Sequence, residues 1–339
     1  MRILSYGLDT VHYHVKLSQE QVSACIATCE GLLARGDERV SVRGVNGYRY
    51  MLDAAPGLRF LVPSEAGLHM GLFVIGGSVF CLSHELQDYE GVIDGCAFTL
   101  LGLRVPMSAY RLSRCDLRYD AAGGRPEFIQ EELVSRARRR DFHYDGQEFS
   151  GLTVGKGDIV FRLYDKVREA EQGGTLERWR AVWGSDAAEV WRYEYQLRGD
   201  FLKEFDLVSM GDLIAREGDL MEYLFGWLHF AHGQDRKDIA RPPLAWWRGF
   251  VDCVRRLPLS CVGAVRRVLP KKPDARGLAD QLVGLASSWA AAVAFQRGEA
   301  ACEYAEVVNR LVLMVDKSRD RLQEGLGVKL KIYERDAYA

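Results

Sequence analysis

Long apolar runs are missing from this chain: no uninterrupted stretch of about 18 apolar residues occurs, and the opening MRILSYGLDTVHYHV lacks the apolar block of a secretory leader. A soluble, cytoplasmic protein with no membrane partner is the expectation. Metal-binding cysteine spacing is missing too. The eight cysteines are scattered, with no CxxC and no Cys/His cluster, which points to neither a zinc site nor a disulfide framework. Cys25 and Cys29, four apart, read as core thiols of a helix. Basic charge is not in surplus, since 45 Lys and Arg against 47 Asp and Glu leave a formal net charge of −2. That excludes a uniformly basic coat and leaves room for local patches. Internal repeats and low-complexity tracts are absent as well.

What is present suffices for a large core. With 339 residues, 48% of them hydrophobic, the chain has the length of two domains, or of one large domain with an appended one. Residues 8–16 alternate as a β-strand, and Ser18 followed by Gln21 has the capping-box spacing that opens a helix over 18–35. Short glycine-punctuated strands are expected to residue 83, a helix over 86–103, a strand over 110–120, a Gly-Gly-Arg-Pro turn at 123–126 and a helix from 126 to 139. Strands at 151–155 and 158–164, a charged helix to 172 and a strand over 189–198 follow. Beyond RGDFLKEF the spacing turns helical over 209–233, 243–256 and 275–323, broken by RPP at 241–243 and LPKKPDARG at 269–277. The expected organisation is an α+β domain over 1–205, an antiparallel sheet with helices packed on one face, followed by a mostly helical region over 206–339.

Three of the strands share a pattern. SRCDLRYD, residues 113–120, sets Arg114, Asp116, Arg118 and Asp120 on one face and Cys115, Leu117 and Tyr119 on the other. VWRYEYQLRG repeats it, with Arg192, Glu194, Gln196 and Arg198 opposite Trp191, Tyr193, Tyr195 and Leu197. DIVFRLYDK has Arg162 and Tyr164 opposite Ile159, Phe161 and Leu163, and DTVHYHVK has His12 and His14 opposite Val11, Tyr13 and Val15. In one antiparallel sheet, such strands pack their apolar side on helices and leave a face of Arg, Asp, Glu, His and one Tyr. A wet face is the ordinary explanation for any one of them. Wet faces lean toward Thr, Lys, Ser and Gln, however, whereas recurring carboxylates and guanidiniums suit a site that holds a metal ion and a phosphate.

In this order, SRCDLRYD, GDIVFRLYDKVREAEQ and WRYEYQLRGD resemble the replication initiation factors of rolling-circle plasmids and filamentous phages, with related relaxases of integrative elements. The resemblance covers roughly residues 5–205, and the length and helical tail are most similar to the phage members. It implies an HUH-nuclease-like α+β fold and a metal-dependent, site-specific DNA nickase that religates. A tyrosine cuts one strand at the origin, stays joined to the 5′ end and leaves a 3′-OH. The tyrosine that matches the motif is Tyr164. Single-stranded or supercoiled origin DNA is the implied partner, with a host helicase and a second protomer as further ones. A conjugative relaxase with the same chemistry and a non-catalytic DNA-binding regulator are the alternatives.

A phenol with a pKa near 10 is a weak nucleophile at neutral pH and needs nearby cations or a base. Arg162 precedes Tyr164 on its strand face, and Lys166 and Arg168 follow it. A helix beginning near Tyr164 sets Arg168 one turn on, and its N-terminus adds partial positive charge where a phosphate would sit. Asp116 and Glu194, central in the other two strands, are the expected Mg²⁺ or Mn²⁺ ligands. Asp120 is a third candidate, which would otherwise pair with Arg118. Related HUH nucleases hold metal with strand histidines, which draws attention to His12 and His14, although the tripeptide HYH is a weak pattern. No second tyrosine stands close to Tyr164, so a second cut calls on another protomer or on water.

For DNA contacts the sequence offers Arg114 and Arg192 on the charged face, Arg138 and Arg139 within RARRR, and Arg255, Arg256, Arg266, Arg267, Lys271 and Lys272 in a stretch with no acidic residue. WWRGF at 246–250 adjoins that stretch, and its Trp246 and Trp247 read either as stacking surfaces for exposed bases or as helix–helix core.

Overall fold

The alternation resolves, in a computed structural model, into one ten-stranded sheet in which every paired strand is antiparallel to its neighbours. The structure describes residues 1–45, 47–64, 71–123, 125–184, 186–233 and 241–263, together with single positions between 282 and 323. In chain order the elements are β1 (Arg2–Lys16), α1 (Gln19–Ala34), β2 (Val40–Val45), β3 (Tyr48–Ala55), β4 (Leu58–Pro63), β5 (Gly71–Gly76), α2 (Ser78–Ser83) and α3 (Tyr89–Leu101). Next come β6 (Tyr110–Ala122), β7 (Leu133–Ser135), β8 (Arg140–Asp145), β9 (Glu148–Val154), β10 (Ile159–Asp165), α4 (Lys166–Gln172), α5 (Leu176–Trp183) and β11 (Val190–Arg198). The described elements end with α6 (Asp200–Glu204), α7 (Met210–Trp227), β12 (Leu228–Phe230) and α8 (Ala245–Arg255). The long sheet runs β2-β3-β4-β5-β1-β6-β11-β10-β9-β8, so the three charged strands β6, β11 and β10 are adjacent.

One face of the sheet is aromatic and aliphatic. Toward β3 and β4 it offers Tyr50, Leu52, Leu58 and Phe60 to the buried stripe Val22, Cys25, Cys29 and Leu32 of α1. That helix opens as its spacing predicts, with Gln21 N donating to Ser18 Oγ at 3.2 Å and Ser18 N to Gln21 Oε1 at 2.9 Å. Under β6, β11 and β10 the same face is closed by α7 and α8. Tyr193 stacks on Phe250 with centroids 3.8 Å apart, and Phe161 meets Trp247 edge-on at 6.3 Å. Each such ring contributes about 1.5–3 kcal/mol of burial. Because α7 and α8 share this core, the first compact unit runs Met1–Val268 and the expected boundary near 205 falls inside it. A second unit spans Leu269–Ala339, and the helical reading of 275–323 falls largely outside the described residues.

The structure departs from the sequence reading in several places. The helix expected from 126 to 139 is instead a short 3-10 turn followed by β7, which pairs with β12 through Leu133↔Phe230 and Ser135↔Leu228. A cluster of the half-buried Phe128, Phe142, Phe149 and Trp246 around the buried Phe230 draws in the same segment, so tertiary packing overrides local spacing. Residues 78–83, read as strand, are the helix α2, and the strand β8 and the helix α5 have no counterpart in the reading. Helices also cover more than one face: Trp179 and Trp183 of α5 form a second buried cluster with Val167 and Ala170 of α4 and with Val190. These residues gather beside the charged side chains of β6 and β11, since Trp183 Nε1 donates to Asp120 Oδ2 at 2.9 Å.

Candidate active site

Register brings the charged residues into direct cross-strand pairs: Arg162 opposite Glu194, Tyr164 opposite Arg192, Glu194 opposite Arg118, and Gln196 opposite Asp116. From these pairs a compact network follows. The Tyr164 hydroxyl donates to Glu194 Oε2 at 3.1 Å, while Arg162 donates to Glu194 Oε1 at 2.5 Å and to Gln196 Oε1 at 2.8 Å. Both Glu194 oxygens are thereby engaged, one by the phenol and one by the guanidinium. One strand over, Arg114 grips Asp116 bidentately, at 2.8 and 2.5 Å.

Electrostatics distinguishes these groups. Burial raises the pKa of Glu194, and the charges of Asp9 and Asp116 push it further against the pull of Arg162 and Arg192. Burial likewise raises Asp116 despite Arg114. The Tyr164 phenol is raised by burial and then by the Glu194 charge, with Arg192 opposing. The free protein therefore holds the phenol protonated, against a carboxylate made more basic than usual.

The cations expected to flank the tyrosine are present but occupied. Lys166 lies with Nζ 4.6 Å from the Trp179 ring centroid and 5.9 Å from that of Tyr164, is paired with Glu169, and is lowered in pKa by burial and by Arg192. The Arg168 guanidinium pairs with Asp145 at the end of β8. The first turn of α4 is capped by Asp165, which accepts from Arg168 N at 3.1 Å.

Two expected roles do not survive the geometry. Arg192, read as a DNA contact, is fully buried: Nε and NH2 donate to Asp120 at 2.7 and 3.0 Å, and NH1 donates to Asp9 at 2.6 Å, which leaves no surface for a phosphate. Asp120, read as a third metal ligand, accepts from Arg192, from Arg118 at 3.3 Å and from Trp183 at 2.9 Å, so its oxygens are taken by protein donors. Arg118 also donates to Ser5 Oγ at 2.8 Å, and Trp179 lies over both guanidiniums, 5.0 Å from Arg118 and 4.1 Å from Arg192. Asp9 was missed because strict alternation groups it with Val11 and Tyr13. A register shift between Leu8 and Thr10 breaks that period and brings Asp9 to Arg192.

Among the described residues no three His, Cys, Asp or Glu side chains converge as a ready-made metal site. Asp116 and Glu194 nevertheless suit a hard cation. They are buried oxygen donors of raised pKa that disfavour each other's charge, and their guanidinium partners Arg114 and Arg162 reach solvent with side chains 25% and 34% exposed. Burial pushes the His12 imidazole down to about 4, aided by Arg114 and Arg198. Elsewhere, Arg138 and Arg139 are exposed and line a surface recess with Lys156 and Trp227. Arg255 pairs with Glu222, and Arg256 donates to Cys253 Sγ. Trp247 is buried in the core, and the half-buried Trp246 packs against that core and donates to the Glu127 carbonyl at 2.9 Å. Arg266, Arg267, Lys271 and Lys272 lie outside the described residues.

No protein-family model matches the chain, and no curated protein matches it. Among solved structures it is similar to a rolling circle replication initiator protein from Geobacillus stearothermophilus, with 17% sequence identity and a TM-score of 0.49, over 77% of this chain and 99% of that one.

Proposed function

We propose that the chain is a rolling-circle replication initiator that nicks one DNA strand at an origin through Tyr164 and later religates it. The observation that carries this reading is the Tyr164–Glu194–Arg162 arrangement, a hydroxyl donating to a buried carboxylate that a guanidinium orients. Nucleophile, base and orienting group stand in the order that attack by a side-chain hydroxyl requires. As Tyr164 Oη bonds to phosphorus, Glu194 takes the phenol proton and the P–O3′ bond breaks. The 3′-oxygen departs as a hydroxyl with a proton that Glu194 returns, and the 5′ end remains on the tyrosine as a phosphodiester. Religation reverses each step. Arg162 is placed to meet the non-bridging oxygens, and Lys166 and Arg168 join it by exchanging Glu169 and Asp145 for phosphate. Mg²⁺ or Mn²⁺ would be held by Asp116 and Glu194 in exchange for their solvent-reaching partners Arg114 and Arg162, and would offset charge on the scissile phosphate.

Such an enzyme works beside DNA in the cytoplasm, with a host helicase to open the duplex and a second protomer to supply the nucleophile of the second cut. No helix among the described residues is long and apolar enough to cross a membrane. The test is incubation with supercoiled DNA or an oligonucleotide carrying its origin, in Mg²⁺ or Mn²⁺, for wild type and Tyr164→Phe. A denaturant-resistant protein–DNA adduct is expected for wild type alone. Nicking that survives the substitution without any adduct assigns the attack to water or to another residue.

A further inference from the structure

The charged face extends past Glu194. On β11 and β6, Arg198 stands opposite Arg114; across the next two strands, Arg114 stands opposite His12, and His12 opposite Ile75. The Phe73 ring meets the His12 imidazole edge-on, with centroids 5.3 Å apart. His12, Phe73 and Ile75 are half-buried, whereas the alternate residues Val11, Tyr13, Leu72 and Val74 are fully in the core, so these side chains emerge on the side opposite the helix-packed core. Arg198 donates to the Gly157 carbonyl at 2.6 Å and enters no salt bridge among the described residues. Arg114 is committed to Asp116 along one edge only, through Nε and NH2. Two guanidiniums therefore flank a neutral imidazole, with an aromatic ring and an aliphatic side chain beside them.

We infer that Arg198, Arg114, His12 and Phe73 form a nucleotide subsite for single-stranded DNA, in which the guanidiniums hold a phosphate and Phe73 with Ile75 receives the base. This rests on the nicking function proposed above. Arg198 lies four residues along β11 from Glu194, which accepts from the Tyr164 hydroxyl, about 13 Å at 3.3 Å per residue. The subsite thus adjoins the site through Arg114, which is bonded to Asp116, and grips the strand beside the bond that is cut. Single strands fit better than duplex, because a base must leave its stack to lie on a side-chain ring, and every base offers a π-face for that contact.

The experiment measures binding of a fluorescent oligo(dT) to the full chain by anisotropy across a salt series, for wild type, Arg198→Ala, Phe73→Ala and Phe73→Trp, with melting temperatures to confirm folding. Arg198→Ala is expected to weaken binding about tenfold and to reduce the slope of log K against log salt by about 0.7, the loss of one phosphate contact on a single strand. Phe73→Ala weakens binding about tenfold while Phe73→Trp retains it, in line with aromatic stacking, and duplex of equal length binds less well than the single strand. Should Phe73→Ala fail to fold, Arg198→Ala and Phe73→Trp decide the matter. Wild-type affinity and slope in Arg198→Ala, in a protein whose wild type still forms the Tyr164 adduct, would overturn the subsite and leave the nicking function standing. Wild type that neither binds the oligonucleotide nor forms an adduct overturns the nicking function itself.

Discussion

Asp120 and Glu194 are carboxylates on adjacent strands of one sheet, on the same charged face, and their surroundings make opposite use of them. Asp120 is 0% exposed and receives donors from Arg192, Arg118 and Trp183. Burial alone would raise its pKa, yet the Arg192 charge and hydrogen bonds outweigh burial and lower it. Glu194 is also buried, but its partners are the half-buried Arg162 and Tyr164, burial prevails, and its pKa rises. A carboxylate saturated by buried donors is fixed in its ionised form and specifies structure. One left basic beside a hydroxyl and a solvent-side cation is available for proton transfer. The same residue types on one face thus divide into a scaffold, roofed by Trp179 and Trp183, and a site.

The largest effect expected from this division is on stability. Asp120→Asn leaves the buried Arg118 without its counter-ion and Arg192 with Asp9 alone, and is expected to cost about 3–5 kcal/mol, read from the shift in the urea midpoint. A loss below about 1 kcal/mol, the value of an exposed pair, would mean that the cluster is not the closed scaffold its burial describes.

Glu194→Gln is expected to do the reverse, leaving stability nearly intact and lowering adduct formation by about 10²–10⁴-fold, the range for removal of a general base. The pH dependence supplies a second sign. The folded-state pKa of Glu194 is raised, so its contribution to stability is fully present below the unfolded carboxylate pKa and is lost as pH climbs through the folded value. Asp120 is lowered, so its contribution is present above the unfolded value and is lost as pH falls through the folded one. Urea midpoints of each variant minus wild type, followed from acid to neutral pH, should therefore drift in opposite directions. Parallel drifts would mean that the two carboxylates share one environment.

How much of this was legible in the sequence follows from what alternation can and cannot encode. Period-two patterning in SRCDLRYD, DIVFRLYDK and VWRYEYQLRG placed Asp116, Glu194, Arg162 and Tyr164 on one face, and the register of β6, β11 and β10 joins them as neighbours. Alternation does not say which charged residues a roof will cover. The roof comes from TLERWRAVW, a helix of only eight residues between glycines that carries its tryptophans at positions 179 and 183, too short for a helical period to stand out. Asp9 was hidden by a bulge, a one-residue slip that inverts the side of every inference drawn from spacing. The segment 126–139 misled because its strand exists only through pairing with Leu228–Phe230, nearly a hundred residues away in sequence.

Arg168 tests the boundary between scaffold and site with the smallest change. Its guanidinium pairs with Asp145, and the two side chains are 35% and 55% exposed, so the pair is open to water and contributes about 0–1 kcal/mol to stability. Arg168→Ala should accordingly leave the urea midpoint almost unchanged. If the guanidinium exchanges Asp145 for the scissile phosphate, the same substitution removes a charge-assisted contact that is made only with DNA, and adduct formation falls about tenfold. Asp145→Ala separates this from a purely structural pairing. Releasing Arg168 from its acid should keep or raise the adduct yield, whereas a residue that mattered only for holding β8 to α4 would lose yield equally in both variants. Equal losses would place Arg168 with Arg192 in the scaffold and leave Arg162 and Lys166 as the cations that meet the phosphate.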